Sequence, residues 1–207
     1  MPHPSIKPIP YVAKHRSSKS LVLWVDVETT GPDPATALPL ELAACVTKVD
    51  GAIITEVKRW AWVYPRSWRG ELERETAMHA GWIDAVLSDV ANRPCAPHVE
   101  GGLFELWRDA HHVAEIEEGD RLPLGGKNVH YDRAVLLRVA PIFSASLLSY
   151  RNVDTKILSM IGVPEIPATP GFPAVEPAHR AKADVLSAIS QYGRAREILR
   201  QKEAPRG

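Results

Sequence analysis

Asp26 and Glu28 stand two positions apart in LVLWVDVETTG, at the end of a short apolar run rich in valine. If the run from Leu21 to Val27 is a strand buried on both faces, alternate residues project to one side and the two carboxylates share a face. Adjacent carboxylates at the end of an apolar strand repel. Each is costly to hold unless a cation sits between them, and a hard divalent ion with oxygen ligands is the natural one. On its own the pair reads first as a solvated strand end, or as the start of a turn at Thr30-Gly31.

Further acids change that balance. Asp132 follows the strand-like LPLGGKNV and opens a helix, the place of an ordinary N-cap. Asp184 comes five residues after His179, near the start of the last helix, where the helix dipole favours an acid. Five residues at about 100° each leave His179 and Asp184 roughly 140° apart on an ideal helix. Both can face one centre only if His179 lies on the incoming loop, which the proline-rich run before it allows.

The elements that must position these groups begin with a meander. LELAACVTKV and AIITEVKRWAWVY are strand candidates joined by Asp50-Gly51, a strong two-residue hairpin signal. From Glu71 the pattern becomes helical, in ELERETAMHAG, WIDAVLSDV and HVEGGLFELWRDAHHVAEI, the last with Val99, Leu103, Leu106, Ala110 and Val113 near one face. LPLGGKNV reads as a strand leading to the helix DRAVLLRVA, and RNV as a strand leading to DTKILSMIG, stopped by Gly162 and Pro164. Residues 163–177 are too rich in proline to be other than loop. The final helix is expected from His179 to Arg200, with Val185, Ile189, Tyr192 and Leu199 as its core stripe. This order describes an α/β fold: a mixed sheet, antiparallel meander first and parallel strands after, with helices on its faces.

The chain of 207 residues suits one domain, expected at 20–201 between a flexible lead-in, 1–19, and a flexible tail, 202–207. Twenty-five Lys and Arg balance 25 Asp and Glu, which argues against a broad basic surface for long nucleic acid and leaves a short or metal-bridged anionic substrate open. Two cysteines are too few for a disulfide framework, and Cys45 reads as an inert core thiol. No stretch is long and apolar enough to span a membrane, and the N-terminus lacks the apolar core of a signal peptide, so a cytoplasmic protein with no membrane partner is expected.

LVLWVDVETTG, GGKNVHYDRAVLL and HRAKADVLSAI occur in that order between Leu21 and Ile189 and resemble the three motifs of the DEDD 3′ to 5′ exonucleases, in the subclass with a histidine in the third. Within that family, VAPIFSASLLSYRNVDTKIL is similar to the segment after the second motif of the oligoribonucleases, through Tyr150, Arg151, Asn152, Val153 and Asp154. Thr29 departs from that group, which usually has methionine there, and the spelling DVETTG is nearer to proofreading exonucleases and ribonuclease T.

The resemblance implies a ribonuclease H-like fold and two divalent ions, Mg²⁺ or Mn²⁺, held by Asp26, Glu28, Asp132 and Asp184, with His179 as general base. It also implies contacts to the terminal nucleotide from Thr29, Thr30 and Gly31, and a role near the substrate for His79, which is equally readable as a helix-surface histidine. Tyr150 and Arg151 would meet a substrate phosphate or a second protomer, since oligoribonucleases are homodimers. Trp60 and Trp62 could stack bases but are expected in the core. The function implied is 3′ to 5′ hydrolysis of short single-stranded RNA to nucleoside 5′-monophosphates. The alternatives are a single-stranded DNA exonuclease of the proofreading or trimming kind, and a non-cleaving nucleic-acid-binding module.

Overall fold

The apolar run at Leu21 lies at the centre of a sheet. In the computed structural model the described residues are 16–17, 21–62, 98–114, 120–161, 163 and 180–203. Among them, strands β1 (Arg16–Ser17), β2 (Leu21–Thr29), β3 (Pro39–Lys48), β4 (Lys58–Ala61), β5 (Asp120–Gly126) and β6 (Leu148–Asp154) form one six-stranded sheet. The helices are α1 (Val99–Val113), α2 (Val129–Val139), α3 (Pro141–Leu147), α4 (Lys156–Met160) and α5 (Ala181–Glu203). The sheet order is β1-β5-β2-β3-β4, with β6 also paired to β5. The pairs β2–β3 and β3–β4 are antiparallel, whereas β2–β5 and β5–β6 are parallel. The mixed sheet read from the sequence is therefore observed.

Both faces of β2 are covered because its residues are apolar without alternation. Leu21, Leu23, Val25 and Val27 join Leu42, Ala44 and Val46 beneath Val99, Leu103 and Leu106 of α1, Val135 and Leu136 of α2 and Phe143 of α3. Val22 and Trp24, with Ala43 and Cys45, pack on the other face against Ala181, Val185, Ala188 and Ile189 of α5. Trp24 is fully buried, and its indole N–H donates to Thr47 Oγ1 at 2.8 Å, satisfying a donor that burial alone would strand. Burial pushes the Cys45 thiol up to about 12, consistent with an inert core residue.

Several details differ from the sequence reading. Gly51 takes φ 94° in the expected tight turn, but the return strand does not run on from it. Val46 pairs with Ile54 and Thr55, and the ladder resumes only at Ala44–Lys58, so extra residues bulge out before β4. The apolar stripes of α1 and α5 stop short of their ends: Val113 and Leu199 are exposed, because each lies in a last turn beyond the sheet it would cover. Trp60 is buried and Trp62 packs beside it, as expected of core residues. Helix α3 was not foreseen, although Pro141 occupies its first turn, where a missing N–H costs nothing. Arg16 and Ser17, within the expected lead-in, pair with Asp120 and Arg121, and α5 continues through Glu203. The helices expected at 71–90 and the proline-rich loop at 164–177 lie outside the described residues. Among the described residues no helix is long and apolar enough to cross a membrane.

Candidate active site

Asp26 and Glu28 continue the face of β2 that begins with Val22 and Trp24, and that face is the one α5 covers. The same helix carries Asp184 in its first turn. Strand and helix therefore converge on one pocket, in which Asp26, Glu28 and Asp184 each present an oxygen within 4.8 Å of the other two. Asp26 and Glu28 lie toward the carboxyl end of β2, which runs parallel to β5, the end at which α/β sheets commonly bind ligands.

Asp132 reaches the pocket from α2, but not as an N-cap. Asn128, in the left-handed region at φ 57°, precedes the helix, and Asp132 lies within its first turn, 3% exposed. Its Oδ1 accepts the backbone N–H of Val27 at 2.9 Å. Gly126 makes room for this approach, since a Cβ there would stand 2.8 Å from the Val25 carbonyl oxygen and 3.6 Å from Asp132 Oδ2. Asp132 is not one of the three carboxylates within mutual reach, so of the four acids expected to hold cations it stands apart from the other three.

Crowding raises all three of the strand and α2 acids. Asp26 is held well above the usual carboxylate range, by burial first and then by the charges of Asp132, Glu28, Asp184 and Glu41. Glu28 is pushed up to about 8 by burial, followed by Asp184, Glu41 and Asp132, with Arg180 acting in the opposite sense. Burial raises Asp132 to about 7 against the lowering effect of the Val27 hydrogen bond, with smaller contributions from Asp154 and Asp184. These are carboxylates short of positive charge. A hard, oxygen-ligated divalent cation fits the donor set and would supply it.

Sequence reasoning missed the groups behind the pocket. Glu41 lies directly across from Glu28 in the β2–β3 ladder and is fully buried. Arg180, just before α5, donates from Nε to Oε2 of Glu41 at 2.8 Å and from an η nitrogen to Oε1 at 3.2 Å. Arg59 of β4 donates from Nε to Oε1 at 3.0 Å, with an η nitrogen at 2.9 Å. The available signal was a glutamate inside the apolar run LPLELAAC, since a charge in such a run requires a partner.

The turn after β2 is tied from two sides. The Tyr131 hydroxyl donates to the Gly31 carbonyl at 2.5 Å and lies 2.5 Å from Thr29 Oγ1, which is itself 2.9 Å from the same carbonyl. Thr30 is 5% exposed, and its hydroxyl accepts the Leu38 N–H at 2.9 Å, so its side chain holds the turn rather than facing outward. Gly31 faces open space. Tyr150 and Arg151 are not brought to the pocket: they lie on β6, across β5 from β2, with Tyr150 79% exposed and the Arg151 guanidinium 5.6 Å from its ring centre. His179 and His79 lie outside the described residues.

No family model matches the chain. It is 25% identical over 191 residues to an oligoribonuclease of Neisseria meningitidis serogroup B, covering 86% of this chain and 92% of that protein. A probable oligoribonuclease of Dictyostelium discoideum is 28% identical over 197 residues, covering 87% and 90%, and the Bordetella pertussis oligoribonuclease is 25% identical over 187, covering 88% and 97%. Among solved structures, Escherichia coli exonuclease I in complex with a dT13 oligonucleotide matches at TM-score 0.54 and 15% identity, over 91% of this chain. Exonuclease I of Methylocaldum szegediense matches at TM-score 0.53 and 18% identity, over 89%. This chain spans only 44% and 41% of those two proteins, so the likeness is one of fold. The resemblance and the ribonuclease H-like fold read from the three motifs are both borne out.

Proposed function

We propose that this chain, which shares its fold with part of exonuclease I and its sequence pattern with the oligoribonucleases, is a divalent-metal-dependent 3′ to 5′ exoribonuclease acting on short oligoribonucleotides. One observation carries the reading: Asp26, Glu28 and Asp184, from the two ends of the described chain, meet within 4.8 Å. Asp26, Glu28 and Asp184 would hold the cations, Mg²⁺ or Mn²⁺, with Asp132 supporting from α2. When bound, a pair of such ions supplies positive charge to the attacked phosphate and to the oxygens entering and leaving it.

The chain's own groups supply the remainder. His179 would take the proton of the attacking water, a task imidazole suits at neutral pH. The bond from water oxygen to phosphorus forms as the bond from phosphorus to the 3′ oxygen of the penultimate nucleotide breaks, and that leaving oxygen takes a proton from solvent. The products are a nucleoside 5′-monophosphate and a chain one nucleotide shorter with a free 3′ hydroxyl. The turn Thr29–Gly31 would meet the terminal nucleotide, with Thr30 acting as its internal brace, and His79 would approach from its own segment. Tyr150 and Arg151, exposed on the outer strand, would face a phosphate or the second protomer of a homodimer. The 20–201 domain and a cytoplasmic setting belong to the same proposal.

A second reading, a single-stranded DNA exonuclease, draws on Thr29, whose hydroxyl is engaged with Tyr131 where oligoribonucleases usually carry methionine. The test is hydrolysis of 5′-labelled two- to seven-nucleotide RNA and matched DNA with Mn²⁺, with chelator, and with Asp26→Ala. Stepwise loss of RNA from the 3′ end, strongest on the shortest pieces and abolished by chelator or substitution, is expected. Preference for DNA would favour the second reading. Absence of metal-dependent cleavage would leave a binding module.

A further inference from the structure

Glu28 and Glu41 are cross-strand partners, so their side chains leave the same face of the sheet as near neighbours. One is offered to the pocket. The other is wholly engaged by two guanidinium groups that arrive from different elements, Arg59 from β4 and Arg180 from the residue before α5. Arg180 is itself buried, and its backbone carbonyl accepts the N–H of Asp184 at 3.0 Å, the first turn of hydrogen bonding into α5. The apolar contacts of Ala181, Val185 and Ala188 press α5 onto the sheet, but apolar packing is non-directional and fixes the helix's distance better than its rotation. A two-point guanidinium fork onto a buried carboxylate is directional.

We propose that Arg180, clamped by Glu41, is a positioning residue for the cation pocket: the fork sets the first turn of α5 so that Asp184 faces Asp26 and Glu28. The proposal rests on reading that pocket as a divalent-cation site. Arg180 touches neither substrate nor cation in this scheme and, apart from its charge, acts through the placing of Asp184.

Charge and position make opposite predictions for one substitution. Arg180→Met removes a positive charge beside a cluster of carboxylates, which by charge alone tightens cation binding; if Arg180 positions Asp184, binding weakens. Glu41→Gln combined with Arg180→Met leaves the net charge unchanged, and a buried ion pair exchanged for uncharged groups of similar size is often neutral for stability. That double variant guards against loss of fold. Arg180→Lys keeps the charge but not the fork.

Mn²⁺ titration of the full chain by calorimetry, supported by electron paramagnetic resonance of the bound ion, reads the effect without turnover. Arg180→Met and the double variant should weaken Mn²⁺ binding about tenfold or more, as substitutions behind a metal site commonly do, with Arg180→Lys between them and wild type. Binding as tight as wild type or tighter in Arg180→Met, with the double variant unchanged, would overturn the proposal. Asp26→Asn is the reference: if wild type shows no Mn²⁺ binding that this variant removes, the cation-site reading itself fails, and that failure is visible before Arg180 is considered.

Discussion

The backbone N–H of Val27 donates to Oδ1 of Asp132 at 2.9 Å. The residue between Asp26 and Glu28 therefore holds a third acid, and the strand that presents two carboxylates on one face fixes another through its own main chain.

That bond separates the structural and chemical parts of Asp132. Asp132→Asn keeps an oxygen for the Val27 N–H and removes one of the mutually repelling charges, so its melting temperature should equal or exceed wild type while cleavage falls by about a hundredfold or more, the scale of a lost electrostatic catalytic group. Asp132→Ala leaves the buried N–H without a partner and should lose about 1–3 kcal/mol in urea unfolding.

The raised acids set a pH dependence in the metal-free protein. Glu28, ordinarily at 4.5, titrates at about 8 in the fold, and Asp132, ordinarily at 3.8, at about 7. At these two groups the folded protein thus binds more protons than the unfolded chain, so the stability they contribute is fully present below about pH 4 and is lost as pH rises toward about 8. Thermal melts in chelator should show that decline, and saturating Mn²⁺ should flatten it. A chelated protein whose melting temperature rises from pH 5 to 8 would contradict this.

Tyr131→Phe removes the hydroxyl that joins Thr29 to the Gly31 carbonyl. A hydrogen bond of this kind contributes on the order of 1 kcal/mol, so KM for a trinucleotide should rise about fivefold with kcat little changed. Thr29→Val should behave alike. The double variant should be no worse than either single one, because both disrupt one arrangement.

Trp24 anchors the face beneath α5, where its ring centre lies 5.4 Å from that of Tyr192. Trp24→Ala should cost about 3–5 kcal/mol, read from the urea midpoint. Trp24→Phe should retain most of that stability, since Thr47 keeps its bond to the Lys48 carbonyl.

What was legible in the chain follows from how far each signal reaches. The shared face of Asp26 and Glu28 needs only the period of a strand, and the two faces of β2 need only its unbroken apolar run. The order of antiparallel then parallel pairing followed from element types. The link among Glu41, Arg59 and Arg180 was not legible, because it joins three elements, and the Glu41–Arg180 pair spans 139 positions. Val113 and Leu199 misled for the converse reason: a helical stripe continues in sequence after the sheet beneath it has ended.

Asp184 joins the pocket, and Arg180 the cluster behind it, only with α5, at the far end of the described chain. A partly folded chain in which the sheet and α2 have formed but α5 has not docked holds Asp26, Glu28 and Asp132 without the carboxylate that completes the cluster. The cation site proposed above is therefore complete only once α5 has packed on the sheet.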